Sequence, residues 1–269
     1  MSEEQHHCHC HDHCENKCNN QCQHKHQHEN TNEHCHCHDH NEQFTIPYSL
    51  SKEQEQQIEQ LLQSLSNETI HEIISQVKEN KEILKFLLND NRINSILQFT
   101  TQFIFPTIQI TETLKEIISF IHFISTTELK FFIFAYNIPQ LFIPLFFKEE
   151  TEQSIILQLS TIYMNLMEDE TSMMMLMKYQ LIPIIIIWSE FGDDSVKTIL
   201  LQMLLRLTEV QQIVSFICQS IEKSQQLVNH LIQLKEIVKE NESLLNLIND
   251  ICKAFSEKNE FFKSIYEKI

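Results

Sequence analysis

The chain has 269 residues, a single glycine (Gly192) and a formal net charge of −17. One glycine argues against folds built on phosphate-cradling loops, dinucleotide fingerprints or nucleophile elbows, because each presses backbone against a ligand or takes it to positive φ. The balance of 20 Lys and Arg against 37 Asp and Glu disfavours direct binding to nucleic-acid backbones, which an acidic surface repels within a Debye length.

Residues 1–43 come first and differ from everything after them. They hold seven of the nine cysteines and twelve of the fifteen histidines, with no aromatic residue and no apolar periodicity, so this stretch is expected to be disordered without metal. It lacks the apolar segment of a signal peptide, and its thiols sit beside histidines rather than in a disulfide framework, which points to a reducing compartment, the cytoplasm and also the nucleus. The string HCHCHDH occurs twice, at His7–His13 and His34–His40. Thiolates and imidazoles are the donor set of zinc or copper. Two equal blocks on a flexible chain can offer ligands to one ion from both ends, with Cys8, Cys10, Cys35 and Cys37 as the shared site and His9 and His36 beside them. Repeat slippage would write the same strings without function. An affinity tag is a poor fit, since tags are not interleaved with cysteine.

From Phe44 onward, a domain over 44–269, the spacing becomes helical. Ile58, Leu61, Leu62 and Leu65 recur at i, i+3, i+4, i+7, and Ser66 or Asn67 caps a helix through Ile70, Ile73, Ile74 and Val77. Leu, Ile, Phe, Gln, Glu, Asn and Lys dominate a body with few turn-formers, so the class is all-α. Two long apolar runs raise the question of a membrane. The run Phe131–Phe147 is interrupted by Asn137, Pro139, Gln140 and Pro144, and the run Ser172–Trp188 carries Lys178 and Gln180 at its middle. A span needs roughly 20 clean apolar residues, so both are expected as buried helices with no membrane partner.

A period is visible through these runs. RINSILQF from Arg92, NIPQLFIP from Asn137, LIPIIIIW from Leu181 and QLVNHLIQ from Gln226 align, and their anchors Ile93, Ile138, Ile182 and Leu227 lie 45, 44 and 45 residues apart. Each anchor is expected to open an apolar helix, followed by a polar break and a second, amphipathic helix. That is the period of armadillo or HEAT arrays, so the expected fold is an armadillo-like right-handed α-solenoid of about five units. In the armadillo pattern the last helix of each unit faces the concave groove. The equivalent positions here are His122, Asn165, Arg206 and Asp250, candidates for a peptide-binding groove, although an isolated His or Arg there also fits a solvated face.

Other residues take plainer readings. Met173, Met174, Met175 and Met177 read as core, Trp188 as a packing anchor, Cys218 and Cys252 as inert buried thiols, and His71 and His230 as surface. Asp193 and Asp194 begin a helix, where carboxylates favour the positive dipole end. No catalytic residue is identified, no cofactor is required by the body, and only zinc in the tail is expected.

With the repeats in register, the chain resembles the Rcd-one family, also called Caf-forty or Not-nine, the armadillo-repeat subunit of the Ccr-Not mRNA deadenylase complex. LLQSLSNETIHEIISQVKENKEILKFLLND at 61–90 is similar to the family's opening helices. The Ile138-Pro139 to Pro144 pattern follows, then Ile182-Pro183, Gly192, the stretch Ser195, Lys197, Thr198, and FICQ at 216–219. The single glycine falls where the family keeps one, and a turn with positive φ is expected there. The resemblance covers roughly 56–255 and implies a non-enzymatic scaffold or adaptor that docks on the complex's large scaffold subunit. It also implies pockets for short peptides of mRNA-recruiting proteins, with a role in mRNA deadenylation and decay. A body carrying two arginines, Arg92 and Arg206, and a charge of 18 − 29 = −11 departs from more basic family members, so nucleic-acid binding is not carried over. Two readings stand beside this one: a metal-handling or metal-sensing protein acting through the tail, and a generic armadillo adaptor.

Overall fold

Helix begins where a side chain can cap it. Residues 45–268 are described in a computed structural model, and among them there is no β-strand. The spacing placed helix from Phe44, but residues 45–51 have no regular secondary structure and α1 (Lys52–Gln63) starts only after Ser51 closes a capping box with Gln54. Ser66, rather than Asn67, caps α2 (Asn67–Glu79), its hydroxyl accepting from the Thr69 N–H. Ile70, Ile73, Ile74 and Val77 are buried on that helix, as their spacing requires.

Thereafter the helices come in threes. A short first helix leads into two longer ones: α3 (Lys81–Leu88), α4 (Ile93–Ile104) and α5 (Glu112–Ser125), then α6 (Phe131–Ala135), α7 (Ile138–Phe146) and α8 (Gln153–Leu166). The pattern repeats as α9 (Glu170–Met177), α10 (Leu181–Phe191) and α11 (Asp194–Leu207), and as α12 (Gln211–Ile217), α13 (Ile221–Ile237) and α14 (Glu242–Lys258). The last helix, α15 (Glu260–Tyr266), packs on α13 and α14. The third helices form a succession in which α2 rests on α5, α5 on α8, α8 on α11 and α11 on α14. Second helices meet as well, α4 on α7 and α10 on α13.

The sequence pattern misses the short first helices and places two anchors out of register. Ile93 and Ile138 open α4 and α7, but Leu181 rather than Ile182 opens α10, and α13 opens at Ile221, six residues before Leu227. The reason is local: Ser220 caps α13 by accepting from the Lys223 N–H, so the helix starts where that hydroxyl stands. Sharp turns precede three of the second helices, and in a chain so poor in glycine they fall on Asp90, Asn91, Asn137 and Gln180, all at φ between 51° and 59°. A non-glycine residue there carries a strain of about 1–3 kcal/mol, which the packing on both sides must offset.

Both apolar runs break at these turns. Phe131–Phe147 is divided at Asn137, and α9 meets α10 at 78°. Among the described residues no single helix is long and apolar enough to cross a membrane. Trp188 is buried, and its indole N–H donates to the Phe146 carbonyl at 2.7 Å, tying α10 to α7. Gly192 departs from its expected geometry: it sits at φ −68° and ψ 160°, extended backbone that any residue adopts. Its requirement is space, because a Cβ there would lie inside contact distance of the Trp188 carbonyl oxygen and 2.7 Å from Val196 Cγ1.

Candidate functional site

An apolar depression among the described residues follows from the turn at Gln180. That left-handed residue swings α10 away from α9, and α10 then packs on α13, leaving a cleft of about 620 Å³ between them. Two rows of side chains face it, Ile182, Pro183 and Ile186 from α10 and Gln226, Leu227 and His230 from α13. Both rows follow i, i+1, i+4 spacing, so each is one stripe of a helix. Pro183 lies in the first turn of α10, where a missing N–H leaves no helical bond unmade. Met177, Phe216 and Ile217 close the end of the cleft, and a smaller depression of about 230 Å³ adjoins it at Met174, Met177, Lys178, Ile213 and Phe216. Phe216 is 57% exposed, a large apolar surface left in water.

Two titratable groups line this cleft, Lys223 and His230, and His230 is the one bonded across to α10. Its Nε2 lies 3.1 Å from Ser189 Oγ, and the Ser189 hydroxyl also bonds the Ile186 carbonyl at 3.1 Å. A hydroxyl has one proton, so when it goes to the Ile186 carbonyl the imidazole donates to Ser189 from Nε2. Burial holds its pKa below the ordinary 6.5, with the carboxylate of Glu190 pulling partly the other way. The surface reading of His230 is therefore corrected: Gln226 and Asn229 make its own helix look wet, but the neighbouring helix covers it. A folded pKa below the unfolded one means that the unfolded chain takes up the proton first, so stability is present above 6.5 and is lost as pH falls from there through the lower folded value. Urea unfolding at about pH 7.5 and about pH 5.5 should show a loss at the lower pH that His230→Gln reduces. Equal losses in the two proteins would show that His230 carries none of it.

A second depression, about 480 Å³, lies where α7 and α10 end, lined by Phe146, Phe147, Lys148, Gln153, Trp188 and Phe191 among others. Phe191 is 69% exposed there. A third runs between α4 and α7 beside Asn94, Gln98, Asn137 and Gln140.

The four sequence-predicted groove residues fall on α5, α8, α11 and α14, the helices that pack in succession. His122, Asn165 and Arg206 are half-buried and Asp250 is exposed. The Asn165 amide donates to Ser125 Oγ at 3.0 Å, so it already bridges α8 to α5. None of the four lines the three depressions just described. Cys8, Cys10, Cys35, Cys37, His9 and His36 lie outside the described residues. Among the described residues no three His, Cys, Asp or Glu side chains are grouped to hold a metal.

The remaining assignments divide. Met173 is buried, but Met174 is exposed and Met175 and Met177 are half-buried, so the core reading fits one methionine of four and two others border the cleft. Cys218 and Cys252 are buried free thiols, and desolvation pushes both up, Cys218 to about 11, which leaves little thiolate at neutral pH. His71 is exposed and pairs with Glu116 at 2.8 Å. Asp193 caps α11, accepting from the Val196 N–H at 2.9 Å. The cleft itself left a trace in the sequence, the paired i, i+4 stripes, but apolar stripes at helical spacing mark core as readily as surface.

No protein-family model matches the chain, and a search of curated proteins finds no match either.

Proposed function

We propose that this chain is a non-enzymatic scaffold subunit of the Ccr-Not mRNA deadenylase complex, of the Rcd-one family it resembles. In this reading its three-helix layers stack as a right-handed armadillo-like solenoid. One face docks on the complex's large scaffold subunit, and clefts between second helices receive short peptides of proteins that recruit mRNAs. The observation that carries it is the succession of third helices from α2 to α14 together with an apolar, partly exposed cleft on the row of second helices. Apolar floors with few polar groups suit side-chain anchors of peptides. The net charge of −11 over 44–269 favours protein partners over nucleic acid.

A second reading rests on the duplicated HCHCHDH strings, which are a donor set for zinc and make the chain a metal-handling protein. One experiment separates the two. Affinity capture from the native cell, with the full chain and with residues 1–43 deleted, should recover the large scaffold subunit and the deadenylase nucleases in both cases. Loss of those proteins from both captures sinks the scaffold reading. Recovery of other partners alone would make the chain a generic adaptor, and partners that follow the tail and zinc would favour metal handling.

A further inference from the structure

The cleft between α10 and α13 has an uneven charge for a body so acidic. Its lining includes Lys223 and the adjoining depression includes Lys178, whereas neither contains an Asp or Glu. Over 44–269 acids outnumber bases by 29 to 18, so a lining with two lysines and no acid runs against the composition. Neither lysine forms an ion pair among the described residues. Lys223 Nζ stands 5.7 Å from the centre of the Phe216 ring, which puts a positive charge and an exposed aromatic face at one end of the cleft.

We propose that this cleft seats a short peptide with an aliphatic or aromatic anchor followed within a few residues by Asp or Glu. The inference rests on the peptide-docking reading above and adds the chemistry of the peptide. The anchor displaces water from Ile182, Ile186, Leu227 and Met177, and the carboxylates reach Lys178 and Lys223. A basic peptide would bring its cations against two ammonium groups in a lining that contains no Asp or Glu. A nucleic acid would meet two lysines and then the acidic body. Screening over about 8–10 Å lets the local pair of lysines act against the more distant negative charge. Rim pairs of this kind act on selectivity and association rate more than on total affinity.

Phage-displayed random peptides, selected on the full-length protein and counter-selected on Phe216→Ser, test this directly. Phe216 and both lysines are exposed, so their variants keep the fold. Clones that depend on Phe216 should be enriched in an apolar residue followed by Asp or Glu. The consensus peptide, made synthetically, should bind wild type about tenfold more tightly than its Asn and Gln analogue at low salt, and K178E/K223E should abolish that preference. Cleft-dependent clones without acidic enrichment, or a preference unchanged in K178E/K223E, would overturn the inference and leave the docking reading standing. No Phe216-dependent clone at all would overturn both the inference and the assignment of peptide docking to this cleft, while the capture experiment still decides membership of the complex.

Discussion

Asn89→Ala should lower the stability of the helical body by about 2–4 kcal/mol, because it orphans two buried main-chain groups at once. Asn89 is 3% exposed at the end of α3, and its amide closes a two-bond clamp: Nδ2 donates to the Ile46 carbonyl and Oδ1 accepts from the Ile46 N–H, each at 2.8 Å. Ile46 is itself buried, so neither group regains water when the amide is removed. The clamp holds a segment without secondary structure against α3, assisted by the Ser49 N–H on Glu82 and an edge-to-face contact of Tyr48 with Phe86. The Ser49–Glu82 bond is exposed and contributes less. A cost of this size corresponds to a melting temperature lower by about 5–10 °C for a domain of this length. Within the helical body, limited proteolysis should cut first between 45 and 51. Asn89→Asp, which replaces the donor with a second acceptor facing a carbonyl, should not rescue. A change in melting temperature under about 1 °C would mean that the clamp is already open in solution.

Gly192→Ala is the second large expected effect, a net loss of about 2 kcal/mol. Two terms oppose each other. At φ −68° alanine is conformationally allowed, and removing glycine's freedom from the unfolded chain would by itself stabilise by about 0.4–1 kcal/mol. Against that, the new Cβ overlaps the Trp188 carbonyl oxygen and lies 2.7 Å from Val196 Cγ1. Overpacking costs typically about 1–3 kcal/mol, and it falls at the upper end when a backbone atom has to move. Here the backbone has little room: the Gly192 N–H bonds the Trp188 carbonyl at 2.8 Å, and the Lys197 ammonium is held on the Gly192 carbonyl. The clash therefore wins. Chemical denaturation should show a lower midpoint with an unchanged slope, and the loss should shrink when Val196 is also replaced by alanine. An alanine variant as stable as the parent would show that α10 and α11 can separate at no cost.

These two sites show how much the linear order of residues reveals. Gly192 is conspicuous as a single letter, but the letter does not say why it is needed: positive φ and close approach both select glycine, and only the positions of Trp188 and Val196 decide between them. Asn89 is unmarked among many asparagines. Its partner Ile46 is 43 residues away, and no local spacing connects the two. His230 is misread for a related reason, since periodicity within α13 reports its own helix and not Ser189 on α10.

The sequence by itself determined that the body is helical and where α2, α4, α7 and α11 start, because caps and apolar stripes act within a few residues of themselves. Ser66, Asp193 and the stripe from Ile70 to Val77 needed no neighbours to be read. The tertiary structure alone decided the turns at Asn137 and Gln180, the register of α10 and α13, the burial of His230 and the cleft beside it. Each of these depends on the side chain that the next layer presents. A polar residue adopts a left-handed turn, and a histidine loses water, only when residues some 40 positions away supply the packing that offsets the cost.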